Sequence, residues 1–237
     1  MQSSLPKALG NDLRRVVGDD WVLTEPDRLL AYESDGLTAY RMLPGAVVLP
    51  KDTDEVSRVL RLLSEAGVTV VPRGAGTGLS GGALAGADSV MIGTARMKRI
   101  IEVDPVNRLA LVQPGVVNAD LSAAAAPFDL YYAPDPSSQS ACTLGGNVAE
   151  NSGGPHCLKY GVTSRYVTGL TVVTYDGDVL RLGGFGRELG SYDLVGVFVG
   201  SEGCFGIATE IEIRLLPRPE AVRTILGIFD RIEDAGR

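Results

Sequence analysis

The sequence has 237 residues, a formal net charge of −7 and a pI near 4.8. A chain of this length can bury one good core, held in one body or divided between two lobes. The acidic balance and the lack of a basic cluster argue against a nucleic-acid partner, and the longest apolar runs are far too short for a membrane span.

The cysteine and histidine content sets limits on location and on metal binding. Cys142, Cys157 and Cys204 are scattered without C-x-x-C spacing, and their odd number favours a reducing compartment. The residues after Met1 lack the charged and apolar regions of a signal peptide. We therefore expect a cytoplasmic protein. A single histidine, His156, excludes a histidine-rich metal site, and we expect no bound metal.

The first third of the chain predicts a small lobe behind an N-terminal segment. Residues 1–43 contain an amphipathic helix over 5–17 and an irregular acidic stretch, and we expect them to pack on the outside. A strand over 43–50 is followed by a helix, because Asp52 is a good N-cap and the apolar residues after it have helical spacing. A strand over 68–71 completes a βαβ unit.

From residue 89 onward the chain changes to short strands and turns, and these predict that a larger and mostly antiparallel lobe follows the small one. The strands are expected over 89–93, 100–104, 109–113, 168–175, 179–182 and 211–215. A helix is expected over 118–126, and Asp176-Gly177 is typical of a hairpin turn. The lobes span about 44–98 and 99–219, and the fold class is α+β.

The C-terminal residues 220–237 predict one more strand, over 224–229, and the start of a helix that Asp230 could cap. A lone strand and half a helix cannot bury their own apolar faces. They either dock on the preceding lobe or belong to a longer protein, and we favour the second alternative.

A glycine-rich loop over 70–83 predicts a site for a phosphate or pyrophosphate. Its five glycines remove side chains, so that backbone N–H groups can converge on one anion. Thr77 and Ser80 add hydroxyl donors, and Arg73 adds a positive charge at the entrance of the loop. The alternative is an ordinary glycine-rich turn.

Two known phosphate-binding loops can be compared with this one. A P-loop requires a lysine that this loop lacks. The letters G-x-G-x-x-G occur over 76–81, with Glu102 about 20 positions later, but Gly86 and the apolar run over 89–92 leave no room for the helix of a Rossmann unit. A dinucleotide held here is therefore held without that helix.

Two further clusters have unusual composition. Residues 133–154 are rich in hydroxyls, amides and glycines but poor in charge, which suits a packed backbone around a flat, hydrogen-bonding ligand. Residues 199–207 form a shorter glycine cluster. Each could instead be a purely structural loop.

The three clusters, in this order and together with Lys159-Tyr-Gly-Val-Thr163, resemble the FAD-linked oxidases of the vanillyl-alcohol oxidase/p-cresol methylhydroxylase type. Within that family the chain looks most like the FAD subunit of glycolate oxidase and the D-lactate dehydrogenases. The likeness covers about 44–219. It implies a two-lobed FAD-binding domain over these residues, followed at 220–237 by the start of a substrate-binding cap domain.

The resemblance also implies which residues bind FAD. The loop over 72–82 would hold the pyrophosphate, 134–154 would approach the pyrophosphate and the isoalloxazine, and Glu202 would lie near the adenine ribose, after a helix over 194–199. The implied FAD-binding residues are Pro72, Arg73, Gly74, Ala75, Gly76, Thr77, Gly78, Leu79, Ser80, Pro134, Asp135, Ser138, Cys142, Thr143, Gly145, Gly146, Asn147, Ala149, Asn151, Gly153, Gly154, Glu202, Gly203 and Ile207. The glycine loop has no histidine, so we expect FAD to be held non-covalently.

The implied reaction is oxidation of a small 2-hydroxy acid, of the glycolate or D-lactate type, to the 2-oxo acid by hydride transfer to FAD. The electrons then pass to an acceptor that the sequence does not identify. The cap residues that bind substrate in the family have no counterpart here, so we expect no catalysis by the isolated chain. The base is unassigned. His156 is a candidate, and the alternative is a loop histidine bonded to backbone.

Two other functions remain open. The chain could be a non-catalytic flavin-binding subunit that needs a partner, or another flavin reductase on the same fold. The clusters over 147–154 and 200–203 favour the hydroxy-acid oxidoreductase.

Overall fold

The computed structural model describes residues 5–184 and 192–236; the first four residues of the N-terminal segment and Arg237 lie outside the described part. The α-helices are α1 Lys7–Val17, α2 Pro26–Leu29, α3 Thr53–Glu65, α4 Asn118–Ala125, α5 Leu144–Glu150, α6 Cys157–Tyr160, α7 Leu194–Phe198 and α8 Ile232–Ala235. The strands are β1 Val22–Leu23, β2 Ala46–Val48, β3 Thr69–Arg73, β4 Ser89–Gly93, β5 Ile100–Asp104, β6 Leu109–Val112, β7 Leu130–Tyr131, β8 Val167–Val173, β9 Val179–Gly183, β10 Ile207–Arg214 and β11 Leu216–Pro217. The mixed architecture agrees with the predicted fold class.

The smaller sheet has the strand order β1-β2-β4-β3. Strands β2, β4 and β3 are parallel, whereas β1 pairs antiparallel with β2. The prediction that the glycine loop leaves the carboxyl end of a parallel strand is therefore confirmed. The predicted βαβ unit is present as β2, α3 and β3, with β4 lying between its two strands.

Helix α3 forms where the local signals agree. The Glu55 amide donates to the Asp52 carboxylate at 2.9 Å, which satisfies one free N–H of the first turn. Val56, Leu60 and Leu63 are fully buried on one face. The predicted helix is confirmed, and its apolar face covers the parallel strands.

The N-terminal segment contributes to the core, so the expectation that it packs outside is wrong. Leu13 of α1 is fully buried with Leu60 of α3 in one apolar cluster, and Val22 of β1 belongs to the same cluster. Burial of a leucine side chain contributes about 1.5–3 kcal/mol. The segment is thus part of the small lobe.

The larger sheet has the order β5-β6-β10-β8-β9, and every neighbouring pair in it is antiparallel. The central strand β10 alternates as predicted. Ile211 and Ile213 are buried, while the Glu210 carboxylate accepts from the Thr171 hydroxyl at 2.9 Å on the other face. Val173 and Ile207 extend the apolar cluster of the small lobe, which joins the two lobes.

The C-terminal segment differs from its prediction. Residues 221–229 form no strand, and α8 has Arg231 rather than Asp230 at its N-cap. Ile225 and Ile228 are exposed. An isolated extended segment has no partner for its backbone hydrogen bonds, so β propensity alone did not produce a strand here. The segment does not dock on the preceding lobe.

Candidate functional site

The glycine loop follows β3 directly and returns to β4 without a helix. Gly76 and Gly81 have φ angles of +71° and +82°, which side chains rarely adopt. The prediction of a loop without a Rossmann helix is confirmed. The backbone can therefore present N–H groups to a ligand without the obstruction of side chains.

Arg73 is enclosed by this loop instead of standing at its open entrance. Its side chain is 8% exposed, and Nη1 donates to the Ala83 carbonyl at 3.3 Å. The guanidinium lies 5.7 Å from the centre of the Tyr32 ring. Burial lowers the pKa of Arg73, while Tyr32 and Asp35 oppose that shift. A buried cation thus lies behind the glycine backbone.

A cavity of about 360 Å³ opens between the glycine loop, α5 and the start of β10. The predicted residues that line it are Pro72, Arg73, Gly74, Ala75, Gly76, Thr77, Gly78, Leu79, Ser80, Ser138, Cys142, Thr143, Gly145, Gly146, Asn147, Ala149, Glu202, Gly203 and Ile207. All three glycine clusters therefore meet at one cavity.

Ten further residues line the cavity that were not named individually as FAD-binding residues. Gly82, Ala83, Glu150, Ser152 and Gly206 lie within the three glycine clusters, whereas Asp35, Thr94, Pro114, Phe198 and Ala208 lie outside them. One signal was available for Thr94, which follows β4. Parallel strands end at the same edge of a sheet, and the Thr94 amide donates to the Arg73 carbonyl at 3.0 Å. For Asp35, no local pattern indicates its distant partner.

Other predicted residues lie outside the cavity wall: Pro134, Asp135, Asn151, Gly153 and Gly154. These five residues contact the loops that form the cavity wall. The Asn151 side chain accepts from the Ser164 amide at 2.9 Å. Gly154 packs so closely against the Asp135 carbonyl that a β-carbon would not fit. These residues therefore fix the backbone of the cluster over 133–154 without lining the cavity.

His156 is also outside the cavity wall. Its side chain is 67% exposed, and ring atom Nδ1 pairs with an Asp135 carboxylate oxygen. The His156 amide donates to the other oxygen at 3.3 Å. The ring therefore bonds a carboxylate, not the backbone, and the pair fastens the two halves of the second cluster together.

Three buried polar atoms of the cavity lack a hydrogen-bond partner among the described residues: Thr94 Oγ1, Thr143 Oγ1 and Asn147 Nδ2. Their residues are 5%, 8% and 1% exposed. An unsatisfied buried polar group costs about 1–3 kcal/mol. A polar ligand in the cavity would remove that cost, and the donor-rich wall suits the phosphates and hydroxyls of a dinucleotide.

Two carboxylates face the glycine loop across the cavity. A β-carbon on Gly82 would lie 3.8 Å from Glu150 Oε1 and 3.8 Å from Glu202 Oε2, so both groups are close to the same stretch of backbone. Burial raises the pKa of Glu150, and repulsion from Glu202 adds to the rise. The pair adds negative charge to a site whose lining, within residues 5–184 and 192–236, has one basic residue, Arg73.

Replacing Glu150 with glutamine should stabilise the chain at pH 7 but have little effect near pH 4. Because the folded-state pKa is raised above its ordinary value of 4.5, this group's contribution is lost as pH rises through the folded pKa. Thermal unfolding of Glu150→Gln and parent at both pH values measures this. Glu102→Gln, at an exposed position of β5, is the control. A Glu150→Gln variant no more stable than the parent at pH 7 contradicts the expectation.

Within the described ranges, no helix combines the length and apolar character that a membrane crossing requires. The same residues contain no group of three or more His, Cys, Asp or Glu side chains that could hold a metal ion.

Comparison with known proteins identifies what the chain resembles. A family model described as "FAD binding domain" matches residues 44–183. The glycolate oxidase subunit GlcD of Escherichia coli (strain K12) is 50% identical over 215 residues, which are 91% of this chain and 43% of that protein. A D-lactate dehydrogenase of Anaerostipes hadrus is 38% identical over 192 residues, 81% of this chain and 40% of that protein. The chain spans less than half the length of either relative.

Among solved structures, an alkyldihydroxyacetonephosphate synthase superposes with a TM-score of 0.84 at 23% identity. The match covers 93% of this chain and 42% of that one. At this identity the likeness shows the fold alone. The superposition covers nearly all of the chain, whereas the family model matches residues 44–183.

Proposed function

The chain belongs to the family of FAD binding domains, and we propose from this that FAD occupies the cavity with its pyrophosphate on the glycine loop. The meeting of the three glycine clusters at one cavity carries the proposal. Buried donors without protein partners support it, because a dinucleotide would supply their acceptors. Arg73 provides charge for the phosphates.

We propose that the two ends of the cavity take the two ends of FAD. Glu202, Gly203 and Ile207 would face the adenine ribose, and the residues over 138–149 would face the flavin side. Pro134, Asp135, Asn151, Gly153 and Gly154 would act indirectly, through the loop that they hold.

We propose that the protein oxidises a small 2-hydroxy acid of the glycolate or D-lactate type. Bound FAD would supply the hydride acceptor. The names of the relatives support this class, since one is a glycolate oxidase subunit and another a D-lactate dehydrogenase. This chain's own residues would hold the cofactor and exclude water from it. The substrate base and the electron acceptor remain unassigned.

We propose the domain boundaries given by the resemblance, with the FAD-binding domain over 44–219 and the first part of a cap domain over 220–237. Assembly with other subunits is part of the proposal, because the glycolate oxidase relative is named as a subunit. The location proposed is the cytoplasm. All three cysteines lie in the described residues and are free, which supports a reducing compartment.

The isolated 237-residue chain, loaded with FAD, should not be reduced by glycolate or D-lactate at a useful rate. Substrate positioning contributes up to roughly 7–11 kcal/mol to catalysis. Among the residues that the structure describes, the cavity lining contains no histidine and no basic residue other than Arg73 to position an acid. Anaerobic mixing, followed at the flavin absorbance band, measures this.

The native protein purified from its source is the comparison in that assay. We expect a 2-hydroxy acid to reduce its flavin. If none of a panel of 2-hydroxy acids does so, the proposed reaction is wrong. Rapid reduction of the isolated chain would instead show that it holds its own base, with His156 the first residue to replace.

FAD should leave the chain when the protein is denatured in acid. The Cys142 thiol lines the cavity, but burial raises its pKa and keeps it protonated. His156 does not line the cavity. The measurement is the flavin absorbance of pellet and supernatant after acid precipitation. Flavin remaining with the pellet, or a denatured chain heavier by one flavin, would show covalent attachment.

A further inference from the structure

We propose that Asp35 is a positioning residue for the cofactor: with Gly36 it holds the glycine loop in the shape that receives the pyrophosphate. This inference rests on the proposed binding of FAD in the cavity. The segment over 32–37 is far from the loop in sequence but lies against it in the fold. Its role would be to fix the loop before the ligand arrives.

The first contact is made by the Asp35 carboxylate. Asp35 is 7% exposed. One carboxylate oxygen accepts from the Leu37 amide at 2.8 Å, and the other accepts from the Gly81 amide at 2.9 Å. The first bond fixes the local turn, and the second connects it to the glycine loop 46 residues later. Hydrogen bonds to a charged acceptor are stronger than neutral ones.

The second contact is made by the backbone of Gly36. Its amide donates to the Gly78 carbonyl at 2.8 Å. A β-carbon at this position would lie 2.6 Å from the Thr77 carbonyl oxygen and 2.9 Å from that of Gly78. Only glycine therefore lets the segment approach so closely. Asp35 and Gly36 together hold both sides of the turn at Gly78–Gly81.

The charge of Asp35 gives a reason to look beyond simple packing. Asp35 lines the same cavity as Arg73. A carboxylate near an anion site opposes binding by repulsion, so its presence there needs a compensating benefit. Holding the Gly81 turn is that benefit, because an ordered loop loses less conformational entropy when the ligand binds.

The test compares ligand binding by Asp35→Ala, Asp35→Asn and the parent, using isothermal titration. We expect Asp35→Ala to weaken FAD binding about ten- to hundredfold. Asp35→Asn keeps one acceptor oxygen, so its affinity for FAD should lie between those of Asp35→Ala and the parent. Adenosine diphosphate has the pyrophosphate without the flavin ring and should lose affinity in parallel. Riboflavin, which has no phosphate, should bind both variants like the parent.

Asp104→Ala is the matched control. Asp104 also accepts from the amide two residues ahead, Val106, at 2.9 Å, but it is the last residue of β5 and does not line the cavity. The Asp104→Ala substitution should leave FAD binding unchanged. Gly36→Ala, which should also weaken FAD and adenosine diphosphate together, provides a second variant if Asp35→Ala does not fold by circular dichroism.

The outcomes separate this inference from the proposed function. If the parent does not bind FAD, both are rejected. If the parent binds FAD and Asp35→Ala or a folded Gly36→Ala binds it equally well, this inference alone is rejected. Equal loss of riboflavin and adenosine diphosphate would also reject it, because it would indicate general damage to the cavity.

Discussion

Replacing Gly76 with valine should abolish FAD binding at micromolar concentrations while most of the fold remains. Gly76 has a φ of +71°, which a β-branched residue strongly disfavours. Its new β-carbon would also collide with the Arg73 guanidinium. The arginine and the loop would both have to move. Since each hydrogen bond to a charged group contributes about 1.5–3 kcal/mol, we expect at least a hundredfold loss, or about 2.8 kcal/mol.

Gly67→Val separates this effect from backbone strain. Gly67 has a similar φ of +65°, but nothing lies within 4 Å of its β-carbon position. Its substitution should lower the unfolding temperature yet leave FAD affinity near that of the parent. If Gly76→Val binds FAD as tightly as Gly67→Val does, the glycine loop is not the phosphate site.

Replacing Arg73 with methionine should weaken FAD binding about ten- to hundredfold. Methionine preserves much of the side-chain volume but removes the basic group that Arg73 contributes to the cavity lining. A charge-assisted hydrogen bond is worth about 1.5–3 kcal/mol, which converts to this range of affinity. The loss should shrink in high salt, because screening weakens the contribution of the charge in the parent. Isothermal titration at two ionic strengths measures both quantities.

Arg96→Met is the matched control for this variant. Arg96 is also a largely buried arginine, with its guanidinium 4.0 Å from the centre of the Trp21 ring and a hydrogen bond to the Leu49 carbonyl at 2.8 Å. It does not line the cavity. Arg96→Met should reduce thermal stability without changing FAD affinity. An Arg73→Met variant that behaves like Arg96→Met would remove Arg73 from the proposed site.

The helices and strands that could be predicted are those in which capping residues, apolar spacing and turn residues all indicate the same structure. Helix α3 has an N-cap at Asp52, an apolar face and a glycine after its end, and it forms almost as expected. Apolar and charged residues alternate along strand β10 because one of its faces is buried. The glycine loop could be placed because it follows a parallel strand. Composition indicated a ligand for the first two clusters, and the resemblance to FAD-linked oxidases indicated that all three share it.

What the sequence did not predict depends on contacts between distant segments. The hydrogen bond from Gly81 to Asp35 and the enclosure of Arg73 by the loop arise only after the lobes have packed. The position of β4 between β2 and β3 was likewise not predicted, because hydrophobic periodicity indicates where strands occur but not which strands pair. Residues 224–229 have the composition of a strand, but a strand also needs a partner for its backbone.

The central claim is that the cavity between the three glycine clusters binds FAD. Titration of the chain with FAD, NAD and ATP, followed by flavin absorbance and by heat of binding, tests it most directly. The account predicts saturable one-to-one binding of FAD, with a perturbed flavin spectrum, and much weaker binding of NAD and ATP. An unchanged flavin spectrum and no heat of binding at high FAD concentration would contradict it.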